Sequence, residues 1–494
     1  MNKFLWMPFF ILALFLVACS DDVLDTTDYY FKPVENKSEL LPAELSFKSA
    51  GGSFEVLFDT GQEWNAYVQN EEDTWVHVSK TEGGSGINSL EITVDPNTSQ
   101  DDRFAAVIIM AQTMGKKITV SQTATKHERE SAHRSVLAYL AAENSLNPYA
   151  MSDLVEMIKG VEDIPEDNNL LVFLDDIKYP RIYEVSRNEI GISDTIRVKS
   201  FSEDLDSADP ATLEMALNFM KTNYKADEYG LVMWSHGEGW TPGKNATRYI
   251  GIDNNQNTQN NFGSMMGIDG LKQAITNSVG YLDLLFFDAC FMLTAEVAYE
   301  LNDCCHYMVG SPCEIPGPGA PYHKVVPHFF ADELSRGQIA ESYYQYYLNE
   351  SRHDYGAVIS TVDCSVMEDF ADTTAKMAAK YFYPGAEILS GDWVQYGFGS
   401  VISGYNRKNM YLDIKQVMRE TLNGDDYSEW LDIFNKTVLN FCATDFWYSD
   451  FSHGNVPLDV TKVGGLAMAL PLLITDSREL EDLQQMSWFD RVWK

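Results

Sequence analysis

The chain has 494 residues, 45% of them hydrophobic, with 36 basic and 73 acidic residues for a formal net charge of −37. That length supports two or three domains with real cores. That charge argues against nucleic acid as a partner, because phosphates would be repelled, and favours cationic partners and solubility outside the cell.

Residues 1–20 read as a targeting segment. Lys3 gives the charged start, and residues 4–18 are apolar but short for a membrane span. Leu16-Val17-Ala18-Cys19 resembles a bacterial lipobox, which implies a signal peptide 1–18 and a lipid on Cys19. Residues 19–40 are polar and read as a tether.

Residues 41–125 alternate apolar and polar side chains at 53–58 and 89–94, punctuated by Gly51-Gly52, Gly83-Gly84 and Pro96-Asn97. Short alternating runs between turn residues predict a small immunoglobulin-like all-β sandwich. The spacing of Trp64, Trp75, Asn97, Arg103 and the segment 118–122 resembles a BACON module. That likeness implies either a glycan- or mucin-contacting part or a spacer, with Trp64 and Trp75 expected in the core.

After a charged connector, buried strands are predicted at 136–140, 169–176, 229–235, 281–290, 307–311 and 356–362. Helices are predicted at 210–224, 295–301 and 366–381. In the first of these, Leu213, Leu217 and Met220 share one face, and Pro210 sits where a first turn tolerates it. Helices between strands make an α/β/α sandwich with a mostly parallel sheet. The stretch 241–263 is polar and reads as an exposed loop.

Two strand ends carry the chemistry. Residues 284–287 are four apolar residues in a row and lead into Asp288-Ala289-Cys290; the strand 229–235 leads into His236-Gly237-Glu238-Gly239. Open α/β sheets bind ligands at the carboxyl ends of their strands. A free thiol is mostly protonated at neutral pH, and a nearby imidazole can take its proton. Gly237 admits a close substrate, and its N–H, with that of Cys290, suits an oxyanion. Asp288 shares a side with Cys290 on an extended chain and suits a cationic substrate side chain. Cys304, Cys305 and Cys313 lack an accompanying CxxC pair and read as buried thiols; Cys364 and Cys442 follow no site-like spacing.

The segments 231–240 and 282–292 resemble the His and Cys motifs of the clostripain family of cysteine peptidases, relatives of the caspases. The His precedes the Cys by about 50 residues, as in the caspase signature. Residues 136–146, 295–301, 307–311 and 317–322 add to the likeness. With the lipobox-like segment, the resemblance implies an exported, lipid-anchored endopeptidase that cuts after Arg or Lys, with a catalytic core at 135–382 and a C-terminal part at 383–494. It implies Cys290 as nucleophile, His236 as general base and acid, Asp288 in the P1 pocket, and Gly237 and Cys290 in the oxyanion hole. No third residue is named to orient the imidazole. It further implies self-cleavage after Lys244 or Arg248. No cofactor is needed for the chemistry, although clostripain itself needs calcium; the run beginning at Asp253 has oxygen ligands without EF-hand spacing. The rival reading is a surface glycan- or mucin-binding lipoprotein whose peptidase-like domain is inactive.

Overall fold

The computed structural model describes residues 30–494 apart from 36, 71, 99–102, 124–131, 166, 178, 188–192, 202, 243–247, 256–262, 350–354, 385–391, 398–408, 451 and 453. The signal peptide and Cys19 lie outside the described residues. No described helix is long and apolar enough to cross a membrane. Two compact units divide the chain, one built mainly from residues 52–95 and 104–120, the other mainly from 121–494.

The first unit is all-β. A four-stranded sheet carries Gly52–Thr60 and Gly86–Val94 paired antiparallel, and a five-stranded sheet carries Trp64–Val68 and Arg103–Ala111. Alternation places Val56, Phe58, Leu90, Ile92, Val107 and Ile109 in the core, each with no exposed surface. Trp64 joins them edge-on to Phe58, as expected. Trp75 is only half-buried, whereas Tyr67 and Phe104 are exposed. The expected tether is partly structured: Phe31–Lys32 pairs with Asp59 and Thr60, and the Phe31 ring stacks on Phe58. A two-residue strand is too short for alternation to reveal.

The second unit is built on a nine-stranded sheet. Its strands are β1 (Ala132–Ala141), β2 (Asn168–Asp175), β3 (Arg181–Arg187), β4 (Ser193–Ser200), β5 (Ala226–Trp234), β6 (Leu282–Asp288), β7 (Cys305–Gly310), β8 (Val358–Asp363) and β9 (Val438–Ala443). Their spatial order is β4-β3-β2-β1-β5-β6-β7-β8-β9. The five central strands, β2 to β7 across the middle, run parallel. The outer pairs are antiparallel. The segment after 383 thus supplies an edge strand, β9, to the same sheet as the catalytic motifs.

Both faces are covered, which is why these strands read as unbroken apolar runs. Leu137, Tyr139, Leu231, Met233, Leu285 and Phe287 face one core, which takes in α2 (Pro210–Asn223), α3 (Ile268–Asn277), α4 (Ala295–Glu300), α6 (Met367–Tyr381) and α7 (Gly424–Thr437). Val136, Ala138, Leu140, Val232, Trp234, Leu284 and Phe286 face the other, against α1 (Asn147–Gly160) and α5 (Gln338–Asn349). Helix α2 begins where the sequence placed it, with the Asp209 carboxylate accepting the Ala211 N–H and Pro210 in the first turn.

The stretch 241–263 is not simply a loop. Gly237–Pro242, Arg248–Asp253 and Ser264–Gly267 form a small antiparallel sheet. Tyr249, Ile250 and Ile252 are fully buried within it. Three apolar residues among many polar ones carry too weak a pattern to register against that composition. Lys244 lies outside the described residues. Arg248 opens its strand opposite Pro242, and its side chain lies outside the described set.

Candidate active site

Strands β5 and β6 are parallel neighbours, and Trp234 lies beside Asp288 in their register. His236 and Cys290 each follow two residues later, so the backbone brings imidazole and thiol to the same sheet end. This end borders the point where the chain leaves β1 for β2 on one side and β5 on the other, the crevice where doubly wound sheets bind ligands.

The turn bearing Cys290 is tight. Phe291 follows the thiol at φ 61°, a left-handed backbone that costs a non-glycine residue on the order of 1–2 kcal/mol. It is held there by its N–H on the Cys313 carbonyl and by the Leu293 N–H on the Ser311 carbonyl, both 3.0 Å. The Cys290 sulfur is half-buried and accepts the Ile315 N–H at 3.4 Å. Gly237 packs onto the same turn. A Cβ there would stand 2.9 Å from the Cys290 carbonyl oxygen and 2.9 Å from Met292 Sδ, so only glycine lets the two strand ends close.

The group that orients the imidazole is Ser145, whose Oγ lies 2.9 Å from His236 Nε2. With Nε2 engaged, Nδ1 is the ring nitrogen left for the thiol. Ser145 sits in the turn after β1, which a buried brace fixes. Asn144 Nδ2 donates to the carbonyls of Ala141 (2.8 Å) and Ile252 (2.9 Å) and contacts Ser235 Oγ (3.2 Å). Burial holds the His236 pKa down at about 4, so the resting ring is a neutral base. No spacing in the sequence ties Ser145 to His236; the contact exists only because β1 and β5 are neighbours.

Asp288 is where the register expectation put it, directly before the nucleophile turn, but it is buried and already engaged. Its carboxylate accepts the Ala320 N–H (3.1 and 3.0 Å) and the Tyr322 hydroxyl (2.8 Å). Burial raises its pKa to about 6. The carboxylates that line the open cleft beside Cys290 are Glu314 and Asp450, with Tyr149, Ile315, Gly317, Tyr355 and Tyr448. The cleft holds about 150 Å³, room for one long side chain and less than the 300 Å³ or more of a drug-sized pocket. Sequence reading missed Glu314 and Asp450, which meet through the Asp450 N–H on Glu314 Oε1 (3.1 Å). The described cysteines are free thiols; Cys304, Cys305 and Cys313 are buried as expected, and Cys364 and Cys442 are buried as well. Asp253, which opens the oxygen-rich run without EF-hand spacing, is taken up by the Ser207 N–H (2.7 Å), Ser207 Oγ (3.0 Å) and the Asn255 N–H (2.8 Å).

A thiol and an imidazole on adjacent parallel strand ends, in a sheet covered on both faces, define the class: a caspase-like cysteine peptidase fold. The chain belongs to the clostripain family, whose model matches residues 138–444; a second model, for BACON, a putative N-terminal binding domain, matches residues 63–123. A clostripain of Hathewaya histolytica is 26% identical over 267 residues, 49% of this chain and 48% of that protein. This chain therefore spans about half the length of the curated relative it matches. A secreted C11 cysteine protease of Bacteroides thetaiotaomicron, solved with an irreversible peptide inhibitor, superposes at TM-score 0.62 and 27% identity, over 73% of this chain and 98% of that one. An inactive zymogen C11 protease of Parabacteroides distasonis superposes at TM-score 0.61 and 25% identity, over 74% and 100%.

Proposed function

We propose that this protein is an exported cysteine endopeptidase that cuts peptide bonds after Arg or Lys. The observation that carries the reading is the Ser145–His236–Cys290 arrangement at neighbouring strand ends. Cys290 Sγ attacks the scissile carbonyl as His236 takes the thiol proton, and His236 returns that proton to the leaving amine. The Gly237 and Cys290 N–H groups face the developing oxyanion. Specificity for a cation rests on the acidic cleft of Glu314 and Asp450 together with the buried carboxylate of Asp288. The rival reading, a glycan- or mucin-binding lipoprotein with a dead peptidase-like domain, is disfavoured by the intact pair.

Fluorogenic peptides with Arg, Lys, Leu or Asp at P1 test this directly. The expected result is a preference for Arg and Lys on the order of 10²-fold or more. Selective cleavage after Leu or Asp would overturn the pocket, and no cleavage by folded protein would favour the rival. On a gel of the same sample, self-processing after Lys244 or Arg248 appears as two fragments with a new amino terminus at residue 245 or 249. The lipobox-like Leu16-Val17-Ala18-Cys19 supports a lipid anchor. Labelling with a fatty-acid analogue in a bacterial host is expected to be lost in Cys19→Ala; retained label would remove that assignment.

A further inference from the structure

The loop that leaves His236 and the turn that leaves Cys290 meet back to back. Gly239 stands at φ 59° and Phe291 at φ 61°. A Cβ on Gly239 would come within 2.5 Å of the Phe291 carbonyl oxygen, so the two backbones touch with no side chain between them. Such a contact sets a closest approach but no direction, because dispersion is weak and non-directional.

Tyr411 supplies the direction. It is fully buried and comes from the part of the chain after residue 383. Its hydroxyl donates to the Glu238 carbonyl at 2.6 Å, on the loop just past the imidazole. Its ring lies against Phe291, the residue after the thiol, with centroids 5.2 Å apart and planes at 44°. The same ring stacks toward Trp240 at 6.3 Å. One side chain therefore holds both strand ends, the histidine side by a hydrogen bond and the cysteine side by aromatic contact.

Tyr411 is itself tied to the nucleophile turn. The strand that follows it, Leu412–Asp413, pairs with Ala467–Met468. The Ala467 N–H donates to the Leu293 carbonyl at 3.3 Å, and the Ala469 N–H to Glu296 Oε1 at 2.8 Å. Leu293 and Glu296 both lie just past Cys290. The backbone carrying Tyr411 is thus fastened to the cysteine side, and the hydroxyl extends that frame to the histidine loop. Ser145 separately fixes the ring itself at Nε2.

We infer that Tyr411 is a positioning residue for the reacting pair: its hydroxyl sets the His236 loop at the distance from Cys290 that proton transfer needs. The inference rests on the peptidase reading, with Cys290 and His236 as that pair. Proton transfer demands hydrogen-bond reach, and a misplacement of about 1 Å costs up to about 10²-fold in rate. Tyr411 acts through the Glu238 carbonyl and the loop, not on the thiol or the imidazole directly.

The test is Tyr411→Phe in the full chain, which removes one oxygen and keeps the ring on Phe291. With the best-cut peptide of the P1 panel, kcat is expected to fall about 10-fold or more, with KM within about twofold of wild type. Alkylation by iodoacetamide, followed by mass on the Cys290 peptide, reads the pair without any substrate. At about pH 6.5 an unassisted thiol is almost all protonated, so alkylation there depends on the imidazole. Tyr411→Phe is expected to slow it about 10-fold at about pH 6.5 and to match wild type within about twofold at about pH 9.5, where a thiol ionises unaided. A role in stability alone would lower the melting temperature and leave kcat and the acid-side alkylation rate in place; that result overturns the inference, whatever the size of the melting shift. Wild-type protein that cuts no peptide and alkylates as an unassisted thiol would sink the peptidase reading and the role of Tyr411 with it. Wild-type cleavage with unchanged kcat in Tyr411→Phe would overturn Tyr411 alone.

Discussion

Cys290→Ala is expected to lower kcat/KM against Arg-P1 peptides by at least about 10⁴-fold, the loss seen when a covalent nucleophile is removed. In the proposed mechanism the thiol attacks the reacting carbon, and no described residue stands in for it on that turn. His236→Ala is expected to cost nearly as much, and the double variant little more than either, because the two act as a unit. Gly237→Ala in the same assay is expected to lower kcat by about 100-fold, since its Cβ would press on the Cys290 carbonyl and move the oxyanion donor. Melting curves keep these losses separate from unfolding. Cleavage by folded Cys290→Ala at the wild-type rate would remove the nucleophile assignment.

The second large effect concerns Asp288. Its carboxyl, with a pKa of about 6, is ionised only above that pH, against a usual value near 3.8. The folded state therefore holds this proton more tightly than the unfolded chain. Stability is fully present below about pH 4 and falls as pH rises through 6, by roughly 3 kcal/mol at about 1.4 kcal/mol per unit. A guanidinium bound nearby offsets that cost. For Arg-P1 peptides kcat/KM is expected to rise with pH through about 6 and then level off. Asp288→Asn is expected to cut the plateau by about 10²–10³-fold, the scale of leaving a buried charge partner unmatched. It is also expected to move the acid limb down toward 4, where His236 titrates. Glu314→Gln tests the open cleft in parallel. If Glu314→Gln carries the whole loss and Asp288→Asn leaves rate and limb unchanged, Asp288 serves only to anchor the Ala320–Tyr322 turn.

The central strands were legible because burial on both faces strips them of polar residues. Residues 284–287 and 231–234 could hardly be anything else in an α/β chain. Helix α2 was legible because its cap, its proline and its apolar stripe agree. The strand Arg248–Asp253 was not, since its buried Tyr249, Ile250 and Ile252 stand among polar neighbours. Glu314, Asp450 and Ser145 were invisible for a related reason. Each takes its role from a contact with a residue far along the chain, Ser145 with His236 and Glu314 with Asp450.

The sequence by itself determined the class of fold and picked out the proposed thiol and imidazole and the glycine that follows the histidine, because each is encoded within a few residues of one strand end. Tertiary structure alone decided which groups surround that pair. Ser145 reaches the imidazole because β1 pairs with β5. Asp288 turns inward because residues 320 and 322 fold over it. Glu143, Asp175 and Asp204 converge because three separate segments meet beyond the carboxyl ends of β1 and β2. Local patterns record burial and periodicity, whereas convergence of polar groups depends on strand order, which no local pattern carries.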